Sequence, residues 1–156
     1  MKLFSDKVFA IPTSGRSMEV VSVADLSNKN SKPFTDRSYT FTDIGNYSPN
    51  CYFIRGANDD TDTDPSSVQT TLQVPFPSTV YLDFWGDSDH VAQVSSWIGS
   101  WTQELSKTPT EFLGYGPGIV MKRAFESGEI NLMGNNGNGR GTYYAFVCPK
   151  GKHKTY

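Results

Sequence analysis

The chain has 156 residues, 37% of them hydrophobic and 19% charged, with a formal net charge of −2 and a pI of about 5.6. That length is enough for one full hydrophobic core, and the mild acidity excludes the basic field that nucleic-acid binding demands. No apolar run approaches the ~18–20 residues of a membrane-spanning helix.

Aromatic residues reach 13%, which suits strands, where rings and β-branched side chains pack well. LFSDKVFAIP and SMEVVSVADL each read as a strand, separated by the turn Thr13-Ser14-Gly15-Arg16. A polar loop follows from Ser27 to Pro33. Phe34, Tyr39 and Phe41 then alternate with polar residues, predicting a strand over 34–41. Gly45 to Asn50 is a turn cluster, CYFIRGA a strand, and Asn58 to Pro65 an acidic loop. In VQTTLQV the residues Val68, Thr70, Leu72 and Val74 share a face. Pro75-Phe76-Pro77 interrupts, and STVYLDFWG resumes with Val80, Leu82 and Phe84 on one side and Tyr81, Asp83 and Trp85 on the other.

Between His90 and Leu105, the residues Val91, Val94, Trp97, Ile98, Trp101 and Leu105 recur at helical spacing. Gly99 and the serines weaken that pattern, so one or two short turns across an opening of the fold are expected. LSKTPTEFLGYGPG reads as loop, IVMKRAFES and EINLMG as strands, NNGNGRG as a hairpin turn, and TYYAFVCP as the closing strand. Short strands with a turn signal every ten residues or so predict an all-β, two-sheet antiparallel sandwich, jelly-roll-like, over residues 1–156. A partly open barrel is the second choice.

From Asp36 to Cys148 the chain resembles a β-sandwich module of secreted bacterial proteins, often appended to polysaccharide lyases and other carbohydrate-active enzymes. The pieces that carry the resemblance are DRSYTFTDIG with CYFIRGANDD, then TVYLDFWGD, the tryptophans of SSWIGSW, and KRAFESGEINLMGNNGNGRGTYYAFV, in that order. The resemblance implies an extracellular accessory role without catalysis, and it carries over no binding residue. The chain departs from the module in its two cysteines and in residues 1–35, which have no counterpart there. MKLFSDKVFAIP has no signal-peptide core because Ser5, Asp6 and Lys7 interrupt it, so either the protein is intracellular or a leader stood ahead of Met1, and the resemblance favours the second.

Cys51 and Cys148 both fall in strand-like runs, and pairing of the outer strands would let them form a disulfide. Two free buried thiols are the alternative. Cysteines and histidines so widely spaced have no zinc-ligand pattern. In the acidic loop, Asp59, Asp60, Asp62 and Asp64 are candidate calcium ligands, because calcium takes six to eight oxygens. A solubilising turn is the competing reading, with Asn58 and Asp59 bonding backbone at the strand end.

Trp97 and Trp101 are candidate sugar platforms or else a plug for the core. Trp85 with Asp87, Asp89 and His90 is a further candidate sugar site, since pyranose C–H groups stack on rings and acidic or amide groups orient hydroxyls. Asn46-Tyr47-Ser48 fits a glycosylation sequon. Many carboxylates are present, but nothing in the sequence singles out a hydrolase pair, a nucleophile elbow or a phosphate loop. The expected function is therefore non-catalytic binding of a polysaccharide or other glycan. The alternative is an extracellular structural or adhesive matrix protein that self-associates.

Overall fold

A computed structural model describes residues 7–26, 31–84, 91–105, 111–112, 118–135 and 142–150. Its strands are β1 (Phe9–Pro12), β2 (Glu19–Ser22), β3 (Phe41–Asp43), β4 (Tyr52–Arg55), β5 (Val68–Val74), β6 (Ser78–Phe84), β7 (Thr102–Gln103), β8 (Glu111–Phe112), β9 (Ile119–Phe125), β10 (Gly128–Met133) and β11 (Tyr144–Pro149). They form a three-stranded sheet β1-β5-β10, a six-stranded sheet β2-β4-β11-β6-β9-β7, and a small ribbon β3-β8. Every pairing among them is antiparallel. The protein is an all-β antiparallel sandwich, as the strand lengths and turn spacing predict.

Consecutive strands mostly change sheets. β1 and β2, β4 and β5, β5 and β6, β9 and β10, and β10 and β11 each straddle the two larger sheets. The connection after β10 is therefore a crossing between layers, which corrects the expected hairpin at NNGNGRG; residues 136–141 themselves lie outside the described residues. Residues 1–35 contribute an edge strand to each large sheet, because β1 pairs with β5 and β2 with β4. Pro12 is tolerated in β1 because an edge strand has one side free of ladder bonds.

Burial explains why these runs become strands. Between the two large sheets lie Leu72, Val74, Val80, Leu82, Phe84, Ile130, Leu132, Ala145 and Val147. On the opposite face of the six-stranded sheet a second core gathers Phe34, Phe41, Tyr47, Cys51, Phe53, Tyr144, Phe146 and Cys148. β11 is thus covered on both sides, which is why its sequence is apolar almost without interruption. Asp83, alternate to Leu82, is fully buried on that second face instead of facing solvent.

The second core is covered by chain that is not sheet. The strand expected over 34–41 is absent: residues 34–40 are irregular and only Phe41–Asp43 pairs, with β8 inside the stretch read as loop. The segment is held by scattered bonds such as Thr35 N–H to the Gly56 carbonyl and Phe41 N–H to the Ser31 carbonyl. Its aromatic residues alternate because one side is pressed against the sheet. Phe41 packs against Phe53 and Tyr144, and Tyr47 stacks on Phe146 at 3.8 Å.

Cys51 and Cys148 form a disulfide in this core. The closing strand is internal to its sheet, between β4 and β6, so the bond does not join outer strands. Val147 stands opposite Tyr52, and one step further along the same register the two cysteines meet with a Cα–Cα distance of 4.2 Å. Such a bond is compatible with an oxidising, extracellular location. Among the described residues no helix is long and apolar enough to cross a membrane.

Candidate functional site

Residues 91–105 form a helical turn at 91–92, further turns, and a 3-10 turn at Ile98–Ser100 before β7. Val94, Ile98 and Trp101 are buried in the main core, with Val91 and Trp97 packed against it, while Leu105 is exposed. Trp97 and Trp101 meet edge to face at 6.1 Å and 70°, so they do not form one flat platform. Trp101 packs on Phe125, and the Trp97 indole N–H donates to the Gly134 carbonyl at 3.0 Å. Trp85, Asp87, Asp89 and His90 lie outside the described residues.

The acidic segment folds into a 3-10 turn, Asn58–Asp62. Its residue before the turn, Ala57, offers no side-chain cap, and Asp36 supplies one from 22 positions away. The Asp36 carboxylate accepts from the backbone N–H groups of Asn58 (2.7 Å) and Asp59 (3.1 Å). Asn58 and Asp59 therefore donate from their backbone N–H groups to Asp36, where the sequence predicts bonds from their side chains to backbone at the strand end.

Three of the four candidate ligands, Asp59, Asp60 and Asp64, are held by different partners. Asp59 is paired with Arg37 at 2.9 Å, and that bond raises the arginine's pKa. Asp60 is buried and accepts from Ser14 Oγ at 2.7 Å and Arg16 at 2.8 Å, raising the Arg16 pKa. Asp62 is exposed. Asp64 accepts from the backbone N–H and hydroxyl of Ser66, which lowers its pKa below 3.8. Among the described residues no three His, Cys, Asp or Glu side chains converge on a common point. Asp59, Asp60 and Asp64 already hold donors of their own, so adding calcium or a chelator is expected to leave the melting midpoint unchanged. A rise with calcium in differential scanning fluorimetry would show that a shell forms in spite of them.

The turn is pinned to the sandwich by two glycines. Gly15 takes φ +79 and steers Ser14 and Arg16 towards Asp60. At Gly134 a Cβ would run into the carbonyl oxygens of Thr63 and Asp64, so glycine is needed for that close approach.

A site the sequence reading missed lies on the outer face of the three-stranded sheet. Strand register puts Phe9, Gln73 and Glu129 in one row across it and Ile11, Thr71 and Asn131 in the next. The alternate residues Ala10, Leu72 and Ile130 point inward. Phe9 is 52% exposed and Ile11 55%, two residues apart on an edge strand. Beside them Thr71 donates to Asn131 Oδ1 at 3.0 Å, and the Gln73 amide lies 3.5 Å from Glu129. An open groove of about 340 Å³ runs along the end of this face between Lys7, Phe9, Gln73, Pro75, Ser127 and Gly128. That volume falls at the lower end of small-ligand sites.

The sequence signal for this face was present but ambiguous. Val8 to Ile11 is apolar at every position, so period-two alternation cannot say which side is buried. Val8 and Ala10 turn inward because β5 and β10 present Leu72 and Ile130 on that side, leaving Phe9 and Ile11 outside.

The chain matches no protein-family model and no curated protein. Among solved structures, a β-glucuronidase from glycoside hydrolase family 2 is similar over 90% of this chain, with a TM-score of 0.62 and 16% sequence identity. The chain spans 14% of that enzyme's length, and at this identity the likeness is one of fold.

Proposed function

We propose that this protein is a non-catalytic carbohydrate-binding module, an accessory to carbohydrate-active enzymes that works outside the cell. The observation that carries the reading is the outer sheet face, where exposed Phe9 and Ile11 adjoin a row of amide, hydroxyl and carboxylate groups. A pyranose presents C–H groups on its ring faces and hydroxyls at its rim. An exposed ring beside hydrogen-bonding side chains meets both demands. Two neighbouring large apolar side chains on an edge strand also carry a hydration cost that a partner would relieve. The fold likeness to part of a glycoside hydrolase and the buried disulfide are consistent with this assignment.

A glycan array followed by titration calorimetry tests the reading. Phe9→Ala is expected to weaken binding by about tenfold, the loss of about 1.4 kcal/mol that one stacking ring supplies. Leu105→Ala, at an exposed position on another element, is expected to bind like the parent. Equal affinity in the Phe9 variant, with an unchanged circular dichroism spectrum, would reject this face as the site. An array without any glycan hit would reject carbohydrate binding and leave the matrix role to be tested by self-association.

A further inference from the structure

A small, partly enclosed cavity of about 20 Å³ lies at the end of the sandwich where the acidic turn meets the sheets. Its lining includes Asp60, Gln69, Thr142, Tyr143 and Leu132, which come from the 3-10 turn, β5, the approach to β11 and β10. Asp60 is 2% exposed and Gln69 5%. Asp60 Oδ1 is engaged by Ser14 and Arg16, but Asp60 Oδ2 has no hydrogen-bond partner among the described residues. Gln69 Nε2 donates to Thr142 Oγ1 at 2.7 Å, while Gln69 Oε1 likewise has no partner there. The phenol of Tyr143 is committed to the Met133 carbonyl.

Leaving two buried acceptors bare is costly, and native interiors satisfy nearly all such atoms. Both unpaired atoms are acceptors, so an occupant must donate at least two hydrogen bonds. The cavity has room for one water-sized species. Arg16 already balances the Asp60 charge, which removes the electrostatic demand for a cation. Thr142 accepts from Gln69, so its own hydroxyl hydrogen is available to donate. Turning the Gln69 amide over would leave a donor in place of the acceptor, and water serves either arrangement.

We infer that this cavity is a binding site for one ordered water molecule, held by Asp60, Gln69 and Thr142. The water donates to Asp60 Oδ2 and Gln69 Oε1 and accepts from the Thr142 hydroxyl. Three hydrogen bonds are the usual complement of a buried water. It joins the turn after β1, the acidic turn, β5 and the start of β11 into a single clasp. Asp60 is thereby a positioning residue for the end of the sandwich that carries the acidic turn.

A high-resolution crystal structure of the unmodified protein, with oxygen-17 water relaxation dispersion in solution, tests the inference. The expected result is one density peak at hydrogen-bonding distance from Asp60 Oδ2 and Gln69 Oε1, and a long-lived internal water. In Gln69→Met the side chain fills the space and removes an acceptor, so that long-lived water should disappear from the dispersion profile. If this variant fails to fold, Thr142→Val is the substitute, expected to shorten the water's residence time. An empty cavity, a peak with contacts too short for water, or a dispersion profile unchanged in the folded variant would overturn the assignment.

Discussion

Above about pH 10 this protein is expected to lose stability steeply and to unfold in one transition, because three tyrosines cannot ionise in the folded state. Burial raises the pKa of Tyr47 well above 10.0, and nearby Asp83 adds to it. Tyr144 is raised for the same two reasons in the same order. Tyr143 is raised by its burial and then by Asp60. The folded pKa values lie above the unfolded value, so these groups contribute nothing to pH dependence below pH 10. Their stabilisation is lost as the pH climbs from 10 towards the folded values. In that window each costs about 1.4 kcal/mol per pH unit, and three together about 4. The loss grows with each pH unit across that window, against the roughly 5–15 kcal/mol that holds a typical domain together.

Absorbance at 295 nm and far-UV circular dichroism, followed together, measure this. The expected record is a shallow phase from accessible tyrosines, then a steep rise in tyrosinate that coincides with loss of sheet signal. Tyr144→Phe should make the destabilisation above pH 10 less steep by one group. A single broad titration of all eight tyrosines near pH 10 with the sheet signal intact would refute the expectation.

Removing the disulfide is expected to have the other large effect. The bond joins positions 97 apart and so closes most of the chain into one loop. Opening a loop of that size restores chain entropy to the unfolded state worth about 4–5 kcal/mol. For a chain of this length that corresponds to a melting temperature lower by roughly 10–20 °C. The double variant Cys51→Ala, Cys148→Ala isolates the effect, since both positions are buried and alanine leaves no polar group unpaired. Because both sulfurs lie in the second core, a mild reductant should act slowly on the native protein and quickly once denaturant opens it. Equal melting of variant and parent would mean that packing around Phe53 and Phe146 holds the two strands without the bond.

The two effects converge on one region. The second core contains the disulfide and two of the three tyrosines, Tyr47 and Tyr144. Its cover is the irregular segment around Phe34 and Phe41, held by few regular backbone bonds. The tyrosinate signal and the reduction rate should therefore report the same opening.

Much of the architecture was legible along the chain. Alternation in VQTTLQV and STVYLDF identified β5 and β6 and the inward Leu72, Val74, Val80, Leu82 and Phe84, because a strand with one face in the core writes its period directly into sequence. The spacing of Val94, Ile98 and Trp101 likewise marked a short segment laid on the core. What alternation cannot express is what lies on the other side of a sheet. Alternation puts Tyr81 and Asp83 on the side opposite Leu82 without saying what they meet, and a second aromatic layer packs there. That layer comes from residues distant in sequence, whose alternation imitates a strand while their backbone bonds go elsewhere.

The candidate site divides in the same way. Residue chemistry alone drew attention to the aspartates and tryptophans, since acidity and ring size are properties of single residues. Tertiary contacts then directed Asp59 and Asp60 to arginines and Trp101 to the interior. By itself the sequence determined an all-β chain with short strands, a cysteine pair and no basic field. The folded structure alone decided which strands are neighbours, that the cysteines stand opposite one another, and that Phe9 and Ile11 face outward. The reason is physical: side-chain period is a local property of backbone geometry, whereas strand order and the partner across each face depend on contacts between residues far apart in the chain.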